Sequence, residues 1–192
     1  MQFLREDVLV AMALPEEGGQ ILKDAGARVL YTGLGKVNAA YRLSKEIGNK
    51  KPKLVLNFGT AGSKLFKRGE IVAANRFLQR DMDVSPLGFR KFVTPFEQTP
   101  LYLEFEKMFQ NLPHATVGTG DSFETDHSHD SGEVVDMEAF ALAKVCYFEG
   151  IEFACVKFIS DGADASASQD WKDSLSNVPD AFLRIFNELI QK

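Results

Sequence analysis

The sequence predicts a three-layer αβα sandwich on a mixed, mostly parallel central sheet. Short apolar runs alternate with amphipathic helical stretches along the chain, as α/β architectures require. Several runs are nearly continuous in Val, Ile, Leu, Phe and Ala, which suits strands covered on both faces. The 192 residues, 45% hydrophobic and 26% charged, are enough for one domain with a sizeable core, read as spanning 1–192.

The elements follow in order. VLVAMAL (8–14) reads as the first strand and runs into Pro15-Glu16-Glu17. ARVLYTG (27–33) is the second. KVNAAYRLSKEIG (36–48) sets Val37, Ala40, Leu43 and Ile47 near one helical face and stops at Gly48. KLVLNFG (53–59) and EIVAANRF (70–77) are the third and fourth strands, and the polar stretch 78–98 reads as a loop. TPLYLEFEKMFQNL (99–112) reads as a helix. ATVGTGD (115–121) and EVVDM (133–137) are strands five and six, flanking a second loop over 122–133. A helix over 138–149 precedes FACVKFIS (153–160), the seventh strand. Phe182, Ile185, Phe186, Leu189 and Ile190 then recur at helical spacing, with Pro179 in the first turn. No internal repeat is visible.

Composition excludes several functions. The formal net charge is −5 with no basic block, which argues against non-specific binding to nucleic acid or an anionic membrane. No stretch approaches the roughly 18 apolar residues needed to span a membrane. The start is not read as a signal peptide, because its apolar run follows Glu6 and Asp7 and meets Pro15. Two cysteines, Cys146 and Cys155, both in apolar stretches, suggest buried thiols in a reducing, cytoplasmic setting.

Chemistry is expected where strands of an α/β sheet end. Glu16 and Glu17 follow strand one, Gly59-Thr60-Ala61-Gly62 strand three, and Gly120-Asp121-Ser122-Phe123 strand five. Met137-Glu138 ends strand six and Ser160-Asp161 ends strand seven. Converging carboxylates suit general acid and base work, since burial and mutual repulsion separate their pKa values. Each alone could equally cap a helix or sit in a solvated turn.

The wording of these segments resembles a known family. VVDMEAFALAKVC (134–146) and FACVKFISDGAD (153–164) are similar to the methylthioadenosine/S-adenosylhomocysteine nucleosidases of the purine nucleoside phosphorylase superfamily. AMALPEE, GLGKVNAA, LVLNFGTAG, GEIVAANRFLQRDMDV and VGTGDSF match in the same order. The resemblance runs from about residue 8 to the last helix.

It implies N-glycosidic cleavage of a 5′-modified purine nucleoside, with no cofactor and no metal. Asp161 falls on the general acid that protonates purine N7, and Glu138 on the carboxylate that accepts hydrogen bonds from the ribose 2′- and 3′-hydroxyls. Met137 lies beneath the sugar, and Phe123 stacks on the purine. Glu17 is the residue that activates water, with Glu16 as the alternative because Pro15 and Gly18-Gly19 depart from the family wording. Thr60 stands near the nucleophile, Ser160 precedes the acid, and Leu34 of GLGK borders the pocket. GLGK is neither a full dinucleotide fingerprint nor a Walker A. The resemblance also implies a homodimer in which Leu87 of the 83–89 loop reaches the partner's pocket. The connections from Glu17 to Gly33 and from Phe123 to Glu138 are shorter than the family leads one to expect, so the fold is read as trimmed and the 5′ subsite as remodelled.

Other readings remain open. A phosphorylase needs cations at the nucleophile site, and residues 16–26 hold two glutamates, one Lys and no Arg. A non-catalytic nucleoside-binding module is a further alternative. Asp126-His127-Ser128-His129-Asp130 has a metal-like spacing but reads as a solvated loop.

Overall fold

A computed structural model describes residues 2–125, 131–175 and 178–190. Eight strands form one sheet: β1 (Val8–Met12), β2 (Arg28–Tyr31), β3 (Leu54–Gly62), β4 (Ile71–Gln79), β5 (Leu103–Glu104), β6 (His114–Thr119), β7 (Val134–Asp136) and β8 (Glu152–Asp161). The helices are α1 (Gly19–Asp24), α2 (Lys36–Asn49), α3 (Ala139–Glu149), α4 (Ala167–Ser174) and α5 (Val178–Leu189).

The strand order is β2-β1-β3-β7-β6-β4-β5, with β8 pairing both β3 and β4. Strands β3, β8, β4, β6 and β7 therefore close into a ring, from which β1–β2 and β5 extend. One parallel set contains β2, β1, β3 and β8. A second contains β4, β6 and β7. The sets meet antiparallel at β4/β8 and at Gly62↔Val135 between β3 and β7. The mixed, mostly parallel sheet matches the expectation, and the curling of its middle into a barrel is what the sequence pattern did not anticipate. The register of β3 against β8 shifts between Ala61 and Gly62, where β8 carries the extra residue Ser160, and such a bulge bends the strand that holds it. At the same point Gly62 of β3 pairs with Val135 of β7.

The strands are buried on both faces because each face meets helices. Leu9 and Ala11 of β1, Val55 of β3 and Phe153 and Cys155 of β8 join one core with α2 and α3. The alternate residues Val8, Val10, Met12, Leu56, Phe58 and Val156 join the other, closed by α1 and α5. Phe58 stacks on Phe182 of α5 with ring centroids 4.5 Å apart. Lys157 falls on the same row of β8 as Phe153, Cys155 and Ile159, so its charge is carried into an apolar core.

The helix expected over 99–112 is not formed. Leu103–Glu104 instead pairs antiparallel with β4 at its edge. The residues LYLEFE alternate apolar and polar, a strand period that competes with the helical one. Leu103 is fully buried, and Phe105 packs edge-on against Phe77 and Phe153. Two short helices, α1 and α4, were not anticipated.

Candidate active site

The cleft lies where β3, β7 and β8 end together. Residues from both parallel sets line it, including Glu17, Thr60, Arg80, Phe123, Met137, Glu138, Ser160, Asp161 and Trp171.

Glu17 closes a 3-10 turn, Pro15–Glu17, just beyond β1 and is 3% exposed, whereas Glu16 points to solvent. Its carboxylate is held by three donors. Leu14 N–H reaches Oε2 at 3.1 Å, and Thr60 reaches Oε1 with its N–H at 2.8 Å and its hydroxyl at 2.9 Å. Of the two glutamates, Glu17 lines the cleft and Glu16 does not.

Glu138 is the N-cap residue of α3, yet its side chain makes no capping bond. Its Oε1 accepts the N–H of Gly35 at 2.9 Å, at the start of α2. Gly35 has φ +87°, a region glycine enters without strain, and this aims its N–H at the carboxylate. Burial pushes the Glu138 carboxyl up to about 8; Asp136 and Glu17 add to the rise, and Lys157 and the Gly35 N–H oppose it. Capping of α3 falls to its neighbours. Asp136 Oδ2 accepts Ala139 N–H at 2.8 Å, and Thr119 Oγ1 accepts Phe140 N–H at 2.9 Å.

Asp161 ends β8. Its Oδ1 accepts Ala163 N–H at 2.9 Å and its Oδ2 accepts the Ser160 hydroxyl at 2.7 Å. The turn-capping role is therefore present alongside any catalytic one. Burial raises its pKa; the Ser160 and Ala163 donors oppose the rise, and Asp170 and Asp164 reinforce it. Gly62 leaves room for this carboxylate, since a Cβ there would lie 2.6 Å from Oδ1.

On the far wall, Arg80 grips the segment that carries Phe123. It donates to the Ser122 carbonyl, to Ser122 Oγ at 3.2 Å and to Glu124 Oε2 at 2.8 Å. The GLGK lysine has an equally structural use. Lys36 Nζ pairs with Asp81 at 2.5 Å and Asp121 at 3.1 Å, and its backbone N–H is capped by Asp121 at 2.7 Å.

A family model described as "Phosphorylase superfamily" matches residues 19–191. The 5′-methylthioadenosine/S-adenosylhomocysteine nucleosidase of Haemophilus influenzae (strain PittEE) is 33% identical over 193 residues, covering 89% of this chain and 82% of that protein. The chain belongs to the methylthioadenosine/S-adenosylhomocysteine nucleosidase family of the phosphorylase superfamily. Its fold is shared with the Helicobacter pylori nucleosidase bound to a pyrrolidine inhibitor, at TM-score 0.85 and 20% identity over 97% of this chain and 99% of that one. Helicobacter pylori futalosine hydrolase has the same fold, at TM-score 0.84 and 20% identity over 94% of this chain and 97% of that one.

Eight of the nine residues singled out by resemblance to this nucleosidase family line one cleft: Glu17, Leu34, Thr60, Phe123, Met137, Glu138, Ser160 and Asp161. Leu87 does not; it stands 75% exposed on the 3-10 turn Ser85–Leu87. Sequence reasoning missed Asp136, Lys157 and Trp171 and gave Arg80 no place in the cleft. Lone charges in the apolar words VVDM and CVKF were the available signal for the first two, because a charge in a strand buried on both faces requires a partner. Trp171 sits on one of the two short helices that were not anticipated. The Asp126–Asp130 segment lies outside the described residues.

Proposed function

We propose that this chain hydrolyses the N-glycosidic bond of a 5′-substituted adenosine of the methylthioadenosine or S-adenosylhomocysteine kind, releasing the free base and the substituted ribose. The observation that carries this reading is the lining of a single cleft by three buried carboxylates, Glu17, Glu138 and Asp161. The cations nearby are already spent, Lys157 on Asp136 and Arg80 on Glu124. Phosphate would meet repulsion there, whereas water needs a base.

In this reading Phe123 stacks on the purine, Met137 underlies the sugar and Glu138 accepts from the ribose diol. Asp161, whose raised pKa favours the protonated form, gives its proton to N7. The bond from C1′ to the base breaks with its electron pair leaving on the neutral purine. Glu17 takes a proton from water as the water oxygen bonds to the oxocarbenium-like C1′. Ser160 and Thr60 orient the two carboxylates, and Leu34 covers the mouth. The chain's part is a homodimer in the cytoplasm, with Leu87 reaching the partner's cleft. The exposed apolar side chains Leu34, Val37, Tyr41 and Leu87 support the first, and the two free, buried cysteines support the second. No described helix is long and apolar enough to cross a membrane.

The test is a panel of methylthioadenosine, S-adenosylhomocysteine, 5′-deoxyadenosine and futalosine, run with and without phosphate. Phosphate-independent release of base from at least one is expected. Release that requires phosphate would make the chain a phosphorylase, and binding without release a nucleoside-binding module.

A further inference from the structure

The chain has one tryptophan, Trp171, carried by α4 and lining the cleft. Its indole Nε1–H donates to Thr60 Oγ1 at 2.9 Å, and that same oxygen lies 2.9 Å from Glu17 Oε1. The direction of this chain of bonds is fixed by chemistry. An indole nitrogen only donates, and a hydroxyl has one proton to give. With Trp171 filling a lone pair of Oγ1, the Thr60 proton is directed at Glu17.

The helix that carries Trp171 is anchored. Arg68 donates to Asp170 Oδ1 at 2.7 Å, to the Asp170 carbonyl at 2.9 Å and to Ser174 Oγ at 3.1 Å. Ser174 Oγ, with one proton to give, lies 2.8 Å from the Asp170 carbonyl and 3.0 Å from the Ser160 carbonyl, next to Asp161. The indole is thus held against the cleft by ties on both sides of it.

We propose that Trp171 is a positioning residue for water activation: through Thr60 it fixes the Glu17 carboxylate in the orientation that accepts a proton. The proposal rests on the assignment of Glu17 as the base. Glu17 Oε1 then carries two bonds from Thr60 and Oε2 one from Leu14, which orients the carboxylate without occupying every lone pair. The charged groups facing Glu17 are Glu138 and, across Gly59, the Lys157 ammonium, and neither is altered in the variants below.

A single tryptophan makes the test direct, because its indole N–H gives one nitrogen-15 resonance. In the wild-type chain that signal is expected to be protected from exchange with water. The protection is expected to be lost in Thr60→Val and kept in Thr60→Ser. In turnover, Trp171→Phe keeps the ring and removes the donor. Its kcat is expected to fall about three- to tenfold, with a smaller change in KM. An indole signal that exchanges freely and ignores Thr60→Val overturns the relay. An unchanged kcat in Trp171→Phe overturns its part in water activation. Failure of the hydrolase reading looks different: the wild-type chain itself then releases no base, which removes the catalytic role, and the resonance still decides whether the bonds run from indole to carboxylate.

Discussion

Lys157 on β8 and Asp136 on β7 are joined by an ion pair of 2.8 Å although β3 lies between their strands. Gly59 of β3 makes the crossing possible. It is the register partner of Lys157, and a Cβ there would lie 3.2 Å from the ammonium. The pair is almost wholly out of solvent. Burial disfavours the lysine's charge, but Asp136, with Cys155 and Glu138, outweighs it and holds the ammonium above the usual lysine range. Asp136 is also fixed by the Thr119 hydroxyl at 2.5 Å and by Ala139 N–H. Removing the cation strands a buried carboxylate, so Lys157→Met is expected to cost about 3–5 kcal/mol of stability. Urea denaturation measures it, and a loss well under 1 kcal/mol would mean that the pair is not what holds β7 to β8.

Glu138 is the opposite case, a group that weakens the fold. Its carboxyl titrates at about 8 in the folded chain instead of 4.5. The neutral form therefore suits the fold. Its contribution is fully present below about 4.5 and is lost as pH rises toward about 8. Glu138→Gln keeps an acceptor for Gly35 N–H and cannot ionise. It is expected to be more stable than the parent by about 1–3 kcal/mol at pH 8, with no advantage at pH 4, while losing activity. Thermal denaturation at the two pH values reads the difference; an equal gain at both would point to packing rather than charge.

Asp161→Asn keeps the shape of the side chain and the acceptor for Ala163 N–H, and it removes the proton. Base release is expected to fall by about 10²–10⁴-fold with the melting temperature nearly unchanged. Near-normal turnover would move the general acid elsewhere in the cleft.

Arg80 is expected to act on affinity. Among the described residues its side chain bonds to the 120–124 segment, which carries the 48% exposed Phe123. Arg80→Met is expected to raise KM about tenfold with a smaller change in kcat. Steady-state kinetics separate the two; a fall in kcat alone would show that Arg80 serves the chemistry instead.

Much of this was legible in the residues. The seven long apolar runs, the helices now seen as α2, α3 and α5, and eight cleft residues follow from periodicity and from ordered family wording. The rest was hidden for physical reasons. LYLEFE carries a strand period inside a stretch that also fits a helix, and only the free edge of β4 decides between them. The turn between β1 and β2 is a helix of six residues opening on glycine, too short to leave a periodic trace. Trp171 stands on α4 among Ser, Gln, Asp and Lys, where one large apolar residue makes no pattern. The ring closes beside a one-residue register shift at Ala61/Gly62, and register is a property of paired strands rather than of either alone.

That closure has a consequence for behaviour in concentrated solution. A strand whose N–H and C=O groups are unpaired on one side is a template for another chain. Within the ring no strand offers such a side, so the free borders of the sheet fall to β2, of four residues, and β5, of two. Each carries charge, Arg28 bound to Glu46 on β2 and Glu104 bound to Arg76 on β5. A sheet this apolar is thereby kept from adding strands of its neighbours and growing into fibres.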